Sequence, residues 1–383
     1  MKLFRFFAVL LFLLPSPSVF AISLYQGSDF SLSFKGYFKN LYVNTKRQAT
    51  NDPMNEVLNR ARTEWDAKFW KFLSAKVIWD NELIFGDYVA SEEFAARQTQ
   101  RAEPYLDMDY ELAHKNDFFY GQQFYRAYAR LDLDPVVFVA GRQKVDWGVM
   151  RLISPGDLFT RVAIFNVEKE ERVGATAANL IVAPVTGLKL NAVYEIQPDF
   201  GRARLAGRVT KTLGHFDLSV FGGKFLQDED FGVDFTGDLG KAGVRGEFVY
   251  DHAEFVDDFM QFAAGVDYGW ENSLYLALEY FFNGNGRGLP ITAATFPTGS
   301  QVFSVHKNFV ELQAKYDLMP LWSVMMLSVV DLNGGSVFLN PESKYAPLSW
   351  LEILGGAQIP VGKTGGEFTA FPNAYYFQTQ IFF

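Results

Sequence analysis

The chain has 383 residues, with 35 lysines and arginines against 44 aspartates and glutamates, and no cysteine. A net charge of −9 argues against a nucleic-acid partner, which requires a basic surface. Without cysteine there is no disulfide framework, no thiolate nucleophile and no thiolate metal site. Aromatic residues make up 17% of the chain and 32 residues are glycine, a composition typical of transmembrane β-barrels.

The first 21 residues are predicted to be a cleaved signal peptide. Lys2 and Arg5 supply a positive start, nine apolar residues cover 6–14, and a small-residue cleavage site ends at Ala21. Nine apolar residues are too few to span a bilayer, which argues against the alternative of a membrane anchor. Residues 22–383 then form one mature domain with a net charge of −11, because only two lysines and arginines are removed. No later window has the 18 uncharged apolar residues of a transmembrane helix.

Charged and apolar residues alternate along segment after segment of the mature chain. Every even position from Arg60 to Lys68 is charged, and Trp65 and Phe69 occupy odd positions. In a strand this order puts charges on one face and apolar residues on the other, whereas a helix would spread the charges around its circumference. The segments are longer than the strands of a soluble sandwich, so the charged face is predicted to meet a water-filled lumen. The pattern recurs in 122–133, 188–197, 202–210, 241–251 and 307–316.

Eighteen strands are predicted, with sixteen as the alternative, and they close into an antiparallel all-β transmembrane barrel. Tight turns alternate along the chain with longer connections, as in outer-membrane barrels that have short periplasmic turns and long extracellular loops. The longer connections are 45–56, 85–118, 148–170, 284–303 and 361–372. The strands start near residues 30, 57, 73, 119, 135, 171, 186, 202, 214, 229, 241, 259, 272, 305, 320, 335, 348 and 373.

The charged face of these strands is predicted to line the pore. Rings of such side chains, and the field between them, set the selectivity of porins. The basic members favour anionic solutes, and the alternative is that the charges pair across strands and only brace the wall. The predicted pore-lining residues are Arg60, Arg62, Glu64, Asp66, Arg126, Arg130, Asp132, Arg142, Lys144, Asp146, Glu195, Arg202, Arg204, Arg208, Arg245 and Glu247.

Residues 141–159 carry the most distinctive motif of the chain. A predicted strand ends in Gly141-Arg142-Gln143 and resembles one in alginate-export-type and related bacterial porins. Because the predicted lumen is less uniformly basic than a polyanion exporter requires, the resemblance implies a pore for organic anions or saccharides. The loop that follows is predicted either to fold inward and narrow the pore or to cap the barrel outside. The candidate constriction residues are Ser154, Pro155, Gly156, Asp157, Leu158 and Phe159.

Two further segments have predicted roles. The connection 85–118 contains a helical stretch around Glu92 and Glu93, which forms either a lid or a surface patch. In the last strand, Tyr375, Phe377 and Phe383 fall on one face, and Phe383 is the final residue. This end resembles the terminal strand of outer-membrane proteins, whose closing aromatic is read by the barrel-assembly machinery. The resemblance implies that machinery and outer-membrane lipid as partners.

No catalytic motif stands out in the sequence. Asp251-His252 resembles the Asp-His pairs of outer-membrane proteases, but neighbours on a strand point to opposite faces, which favours an ordinary rim histidine. No cofactor or metal site is predicted. The sequence therefore predicts a porin-like channel in a Gram-negative outer membrane for passive passage of small polar solutes, anionic or saccharide, rather than an enzyme. The alternatives are an outer-membrane barrel enzyme and a plugged surface or adhesin barrel without conductance.

Overall fold

A computed structural model describes residues 22–48, 50–99, 106–160, 167, 174–197, 201, 203–254, 257–286 and 304–383. The predicted signal peptide and the predicted pore residue Arg202 lie outside these residues. The elements are β1 Ile22–Gln26, β2 Phe30–Lys46, β3 Pro53–Phe69, β4 Leu73–Phe85, α1 Glu92–Thr99, β5 Asp109–Lys115, β6 Phe118–Leu133, β7 Val136–Gln143, β8 Ala175–Val185, β9 Leu188–Glu195, β10 Arg204–Leu213, β11 Phe216–Phe225, β12 Asp228–Leu239, β13 Ala242–His252, β14 Phe259–Gly269, β15 Tyr275–Asn283, β16 Asn308–Met319, β17 Trp322–Asp331, β18 Ser336–Leu348, β19 Leu351–Gly362 and β20 Ala374–Phe382.

The strands form a closed ring. From β2 to β4, across to β6 and on to β20, each strand pairs antiparallel with the next, and β20 pairs back onto β2. With β1 and β5 outside the ring, the barrel has 18 strands, which confirms the predicted fold and count. Each ring strand begins within four residues of its predicted start. Closure leaves no open edge, which a sheet in lipid requires because no water can hydrogen-bond its backbone.

The two ends of the barrel differ. At one end, here called the turn end, neighbouring strands are joined by two to five residues, as at 134–135 and 270–274. The other end, the loop end, carries every ring connection longer than five residues, together with the two short turns that follow β11 and β17. The predicted connection 45–56 is wrong in its bounds, because β2 continues to Lys46 and β3 already begins at Pro53. Pro53 is tolerated as the first residue of β3, because its missing N–H falls at the end of the pairing with β2.

Two short strands were missed. β1 pairs with residues 31–34 of β2 at the turn end, and all five of its residues are exposed. β5 pairs with residues 118–123 of β6, at the loop end. The pairing of β6 with β7 starts from the turn end of β6 and stops at Ala127. Both strands are short, with five and seven residues, and neither has a fully buried face, so they differ from the long strands from which the ring was predicted.

Side chains alternate across the wall as the sequence predicts. On β3, Arg60 and Arg62 point inward and are buried, whereas Trp65 points outward and is 38% exposed. Large apolar side chains cover much of the outer face, as on β12 with Phe231, Val233 and Phe235. Among the described residues, no helix is long and apolar enough to cross a membrane.

The alternation over 122–133 predicts that Gln122 shares a face with Arg126, and a register shift in β6 corrects this prediction. Ile78 pairs with Arg126 but Trp79 pairs with Phe124, so Tyr125 is an extra residue in β6. A bulge of this kind reverses the alternation beyond it. Gln122 therefore lies opposite Asn81 on the outer parity and donates to its side chain, rather than sharing a face with Arg126.

Candidate pore and its inward loop

Residues 144–160, here called the inward loop, fold into the barrel. Trp147 and Phe159 pack against inward-facing residues of β9 to β13, including Val193 and Phe221. Further along, Ile153 packs with inward residues of β14 to β18. Every residue from 152 to 160 is buried. All six candidate constriction residues, Ser154, Pro155, Gly156, Asp157, Leu158 and Phe159, thus lie inside the barrel and not as a cap outside it.

Polar contacts fix the path of the inward loop. The Trp147 indole N–H donates to Asn191 (2.8 Å), and Arg208 donates to the Trp147 carbonyl (2.6 Å). Gly148 is required for close approach, because a Cβ at this position would lie 2.1 Å from the Ser154 Oγ. The carboxylate of Glu247 on β13 accepts hydrogen bonds from backbone N–H groups of the loop.

A second cluster of charges lies on β2, β3 and β6. The basic cluster is defined by Lys39, Arg60, Arg62 and Arg126, all buried. The guanidinium carbons of Arg62 and Arg126 lie 4.1 and 4.2 Å from the ring centre of Tyr125, a cation–π arrangement. Two carboxylates of β4, Asp80 and Glu82, face this cluster.

The two carboxylates of β4 hold two of these arginines. Arg62 donates to Asp80 through Nε (2.6 Å) and Nη2, a bidentate contact, and Arg60 donates to Glu82 through Nε (2.8 Å) and Nη2 (2.6 Å). In the register of β3 and β4, each arginine lies directly opposite the carboxylate that it contacts. Charge-assisted bidentate contacts of this kind are short and directional.

The other buried charges of the predicted set are also paired. Arg204 donates to Glu195 (2.9 Å) and Arg208 donates to Asp234 (2.9 Å), each on a nearby strand. Arg245 contacts Asp267 of β14. These residues therefore form ion pairs across strands, which is the alternative that the sequence analysis gave to a ring of charges that face the pore.

Arg142 departs from the predicted pattern of alternation. It pairs with Ala127 in the register of β6 and β7, on the outer parity, yet it is buried. Its guanidinium donates to Asp109 of β5 (2.9 Å) and to the Phe124 carbonyl (3.0 Å). The contact depends on β5, which the sequence did not reveal, so this partner could not be predicted.

The remaining predicted residues are partly exposed. Glu64 and Asp66 share Lys76, with N–O distances of 3.5 and 3.3 Å. The other exposed pairs join residues two apart on the chain: Arg130 with Asp132 at 2.8 Å, and Lys144 with Asp146 at 2.6 Å. Exposed pairs of this kind are screened by water and contribute little stability.

Two more loop-end segments pack inside the wall. Phe94 of α1 is buried against Phe119 and Ile84, so this helical stretch lies against the wall instead of forming an outer surface patch. Phe368, from the connection between β19 and β20, is buried with Phe309 and Phe338 and joins the same cluster as Ile153. The inward loop and this last connection therefore meet through apolar side chains.

The rim histidine does not pair with its sequence neighbour. Asp251 is buried inside the wall, whereas the His252 side chain is 63% exposed, and its Nδ1 lies 2.9 Å from Asp258. The Tyr250 hydroxyl also donates to Asp258, and these two contacts hold the pKa of Asp258 below its usual value. In the described part of the chain, no group of three or more histidine or carboxylate side chains is arranged to hold a metal ion.

The last strand presents its aromatic face outward. Tyr375 and Phe377 are 53% and 49% exposed on the outer surface. Phe383 exchanges both backbone hydrogen bonds with Gly36, at 2.7 and 2.9 Å, and its ring lies 5.8 Å from that of Phe34. The C-terminal residue is thus part of the seam that closes the barrel.

Several residues of this site were not predicted individually. Tyr37, Tyr125, Glu82, Glu279 and Glu311 all face inward among the charged groups described above. Glu82 lies two residues beyond Asp80 on the same face, and Glu279 lies directly opposite Glu311 in the register of β15 and β16. The alternation over 307–316 already places Glu311 on the charged face, and the same period along β15 could have identified Glu279.

Comparison with known proteins shows similarity of fold. No protein-family model and no curated protein matches the sequence. Among solved structures, the chain is similar to the outer membrane protein opdK of Pseudomonas aeruginosa, with a TM-score of 0.57 and 11% identity over 92% of this chain and 98% of that one. It is similar to OccAB2 of Acinetobacter baumannii, with a TM-score of 0.58 and 12% identity over 94% and 99%. OccD1 (OprD) gives 0.57 and 12% over 96% and 99%. At these identities the likeness shows the fold of outer-membrane porins. The resemblance of residues 141–143 to alginate-export-type porins stays a prediction.

Proposed function

We propose that residues 22–383 form a diffusion channel in the outer membrane of a Gram-negative bacterium, which passes small polar solutes without an energy source. The observation that carries the proposal is a closed 18-stranded ring with an apolar outer face and a charged inner face. Charged inner walls need water, and an outer apolar surface needs lipid. The turn end then faces the periplasm, and residues 1–21 are the signal peptide that directs export.

The proposed passage lies between the inward loop and the basic cluster. The inward loop covers the wall from β8 to β18 with apolar and polar contacts, and the basic cluster lies on β2, β3 and β6. Ser154 to Phe159 are proposed to narrow this passage. Because four cations lie close together on three nearby strands there, we propose small organic anions as the favoured solutes, with neutral saccharides as a second class. The chain is proposed to be no enzyme.

Single-channel recording of the purified chain in a planar bilayer tests this function. A channel gives discrete conductance steps and a preference for chloride over potassium in a salt gradient. A plugged surface barrel gives no steps, and that result would overturn the proposal. A barrel enzyme that used the rim histidine would show a hydrolase activity that His252→Ala abolishes, whereas an ordinary rim residue shows none.

Arg126→Ala is expected to weaken the anion preference. Removing one positive charge about 6 Å from the ion path in water raises the electrostatic energy of a monovalent anion by about 0.7 kcal/mol. The local anion concentration then falls about threefold. The reversal potential in a potassium chloride gradient measures the change. Arg130→Ala is the matched control, because Arg130 is on the same strand but is exposed and lies outside the basic cluster. Equal shifts in both variants would contradict a special role for the basic cluster.

Phe383→Ser is expected to lower the amount of folded barrel in the outer membrane. We propose that the assembly machinery reads this residue, so its loss acts during insertion, whereas refolding of the purified chain in detergent is much less affected. Heat-modifiable migration in gels measures the folded fraction in both settings. Phe377→Ser, on the same outer face of β20, is the control. A similar loss in both variants would indicate a general requirement for apolar surface.

A further inference from the structure

One carboxylate gathers four donors of the inward loop. Glu247 projects from β13 and is buried. Its oxygens accept hydrogen bonds from the N–H groups of Val149, Met150 (3.2 Å) and Gly156 (2.8 Å), and from the Ser154 hydroxyl (2.7 and 2.9 Å). An ionised carboxylate has about four acceptor sites, so this one is filled by the loop.

Neighbouring glutamates continue the same arrangement along the wall. Glu279 on β15 accepts from the N–H groups of Arg151 (2.9 Å) and Leu152 (3.0 Å). Glu311 on β16 accepts from the N–H of Ile153 (3.2 Å). Five consecutive backbone N–H groups, from residues 149 to 153, therefore bond to carboxylates of the barrel wall. The sequence places one such glutamate on each of three strands.

The wall is shaped to let the loop lie close to it. β14 lies between β13 and β15 and presents small inward residues, Ala263 and Gly265, at this level. A Cβ at Gly265 would lie 2.8 Å from the Glu279 Cγ and 3.1 Å from the Met150 Cε. Space for the loop is therefore supplied by β14, and the acceptors are supplied by the strands on either side.

Apolar packing is the competing explanation for the position of the loop. Leu152 and Ile153 are buried in the cluster with Phe309 and Phe368. Such contacts are non-directional, and they are insensitive to whether a carboxylate is present. The N–H groups of 149–156 have a different requirement: once buried, they need an acceptor, and an ionised acceptor binds them about twice as strongly as a neutral one.

We propose that the inward loop is a binding nest for a carboxylate and that Glu247 is its built-in ligand. Glu247 is then a positioning residue, which fixes the loop and so sets the width of the passage. The consequence for conduction rests on the channel function proposed above, whereas the fixing of the loop does not. A further consequence is that a small free carboxylate can replace the side chain of Glu247 when that side chain is removed.

Glu247→Ala tests the proposal by chemical rescue. The substitution removes a CH2–COO⁻ group, which is the size of acetate. We expect the amides of 149–156 to exchange with deuterium about tenfold faster or more in the variant, equivalent to about 1.4 kcal/mol of local stability. Potassium acetate is expected to restore slow exchange and the original conductance, whereas potassium chloride at equal ionic strength, or acetamide, is not. Glu64→Ala is the matched control, because Glu64 also faces inward but its ion pairs are with Lys35 and Lys76.

The readouts separate the two proposals. If the wild-type chain gives no conductance but Glu247→Ala exchanges faster and acetate reverses it, the channel function fails and the nest stands. If exchange over 149–156 in Glu247→Ala equals that of the wild type, the nest is overturned whatever the conductance. Should Glu247→Ala not fold, Ser154→Ala removes one donor without touching the wall. In Ser154→Ala, faster amide exchange over 149–156 that acetate does not reverse supports the nest, because Glu247 still occupies it. Exchange equal to that of the wild type refutes the nest.

Discussion

Replacing residues 149–156 by a glycine-serine segment of equal length is expected to raise the single-channel conductance severalfold. The native segment is pinned to the wall by carboxylates and by the buried side chains of Leu152 and Ile153. A flexible segment has neither the apolar side chains nor a fixed path, so it no longer narrows the passage. Planar-bilayer recordings of the two proteins in the same salt measure the difference.

The same replacement is also expected to shift selectivity toward cations. The glycine-serine segment keeps its backbone N–H groups but has no apolar side chains to hold them against the wall, so Glu247, Glu279 and Glu311 become exposed to water in the lumen, where their charges attract cations. A variant that combines the replacement with glutamine at these three positions is the control. It should keep the raised conductance and lose the added cation preference. Unchanged conductance in the replacement would mean that the inward loop is not the constriction.

The barrel could be predicted from the sequence because its two faces meet opposite solvents. Lipid outside and water inside force a period of two on long strands, and Arg60 to Lys68 show it without interruption. The inward face of Arg60, Arg126 and Glu247 followed from this period alone. Where a single residue is inserted, as at Tyr125, the period breaks, and the predicted face of Gln122 was wrong for that reason.

The partners of these charges could not be predicted. Which carboxylate meets Arg62 depends on the register between β3 and β4, and a slip of one residue moves every side chain to the other face. The contacts of the inward loop are even harder to predict from the sequence. Their donors are backbone N–H groups, which every residue except proline possesses, so the sequence around Val149 gives no sign that Glu247 will bind there.

The largest loss of stability among single substitutions in the wall is expected from Asp80→Ala. Asp80 is almost completely buried, and it holds Arg62 by a bidentate contact with Arg60 close by at 3.8 Å. Removing the carboxylate leaves the Arg62 guanidinium buried without its principal counter-charge. Breaking a buried ion pair in this way costs about 3–5 kcal/mol. Urea unfolding of the purified barrel in detergent, followed by tryptophan fluorescence, measures the change.

Two controls separate charge burial from a general effect of mutating the wall. Glu64→Ala removes a carboxylate that is 20% exposed and paired with lysines, and it is expected to cost about 0–1 kcal/mol. The double variant Arg62→Met with Asp80→Leu removes both charges and keeps similar volume, so it should recover most of the stability lost in Asp80→Ala. A double variant as unstable as Asp80→Ala would show that the pair itself, rather than the cost of a stranded guanidinium, holds β3 to β4.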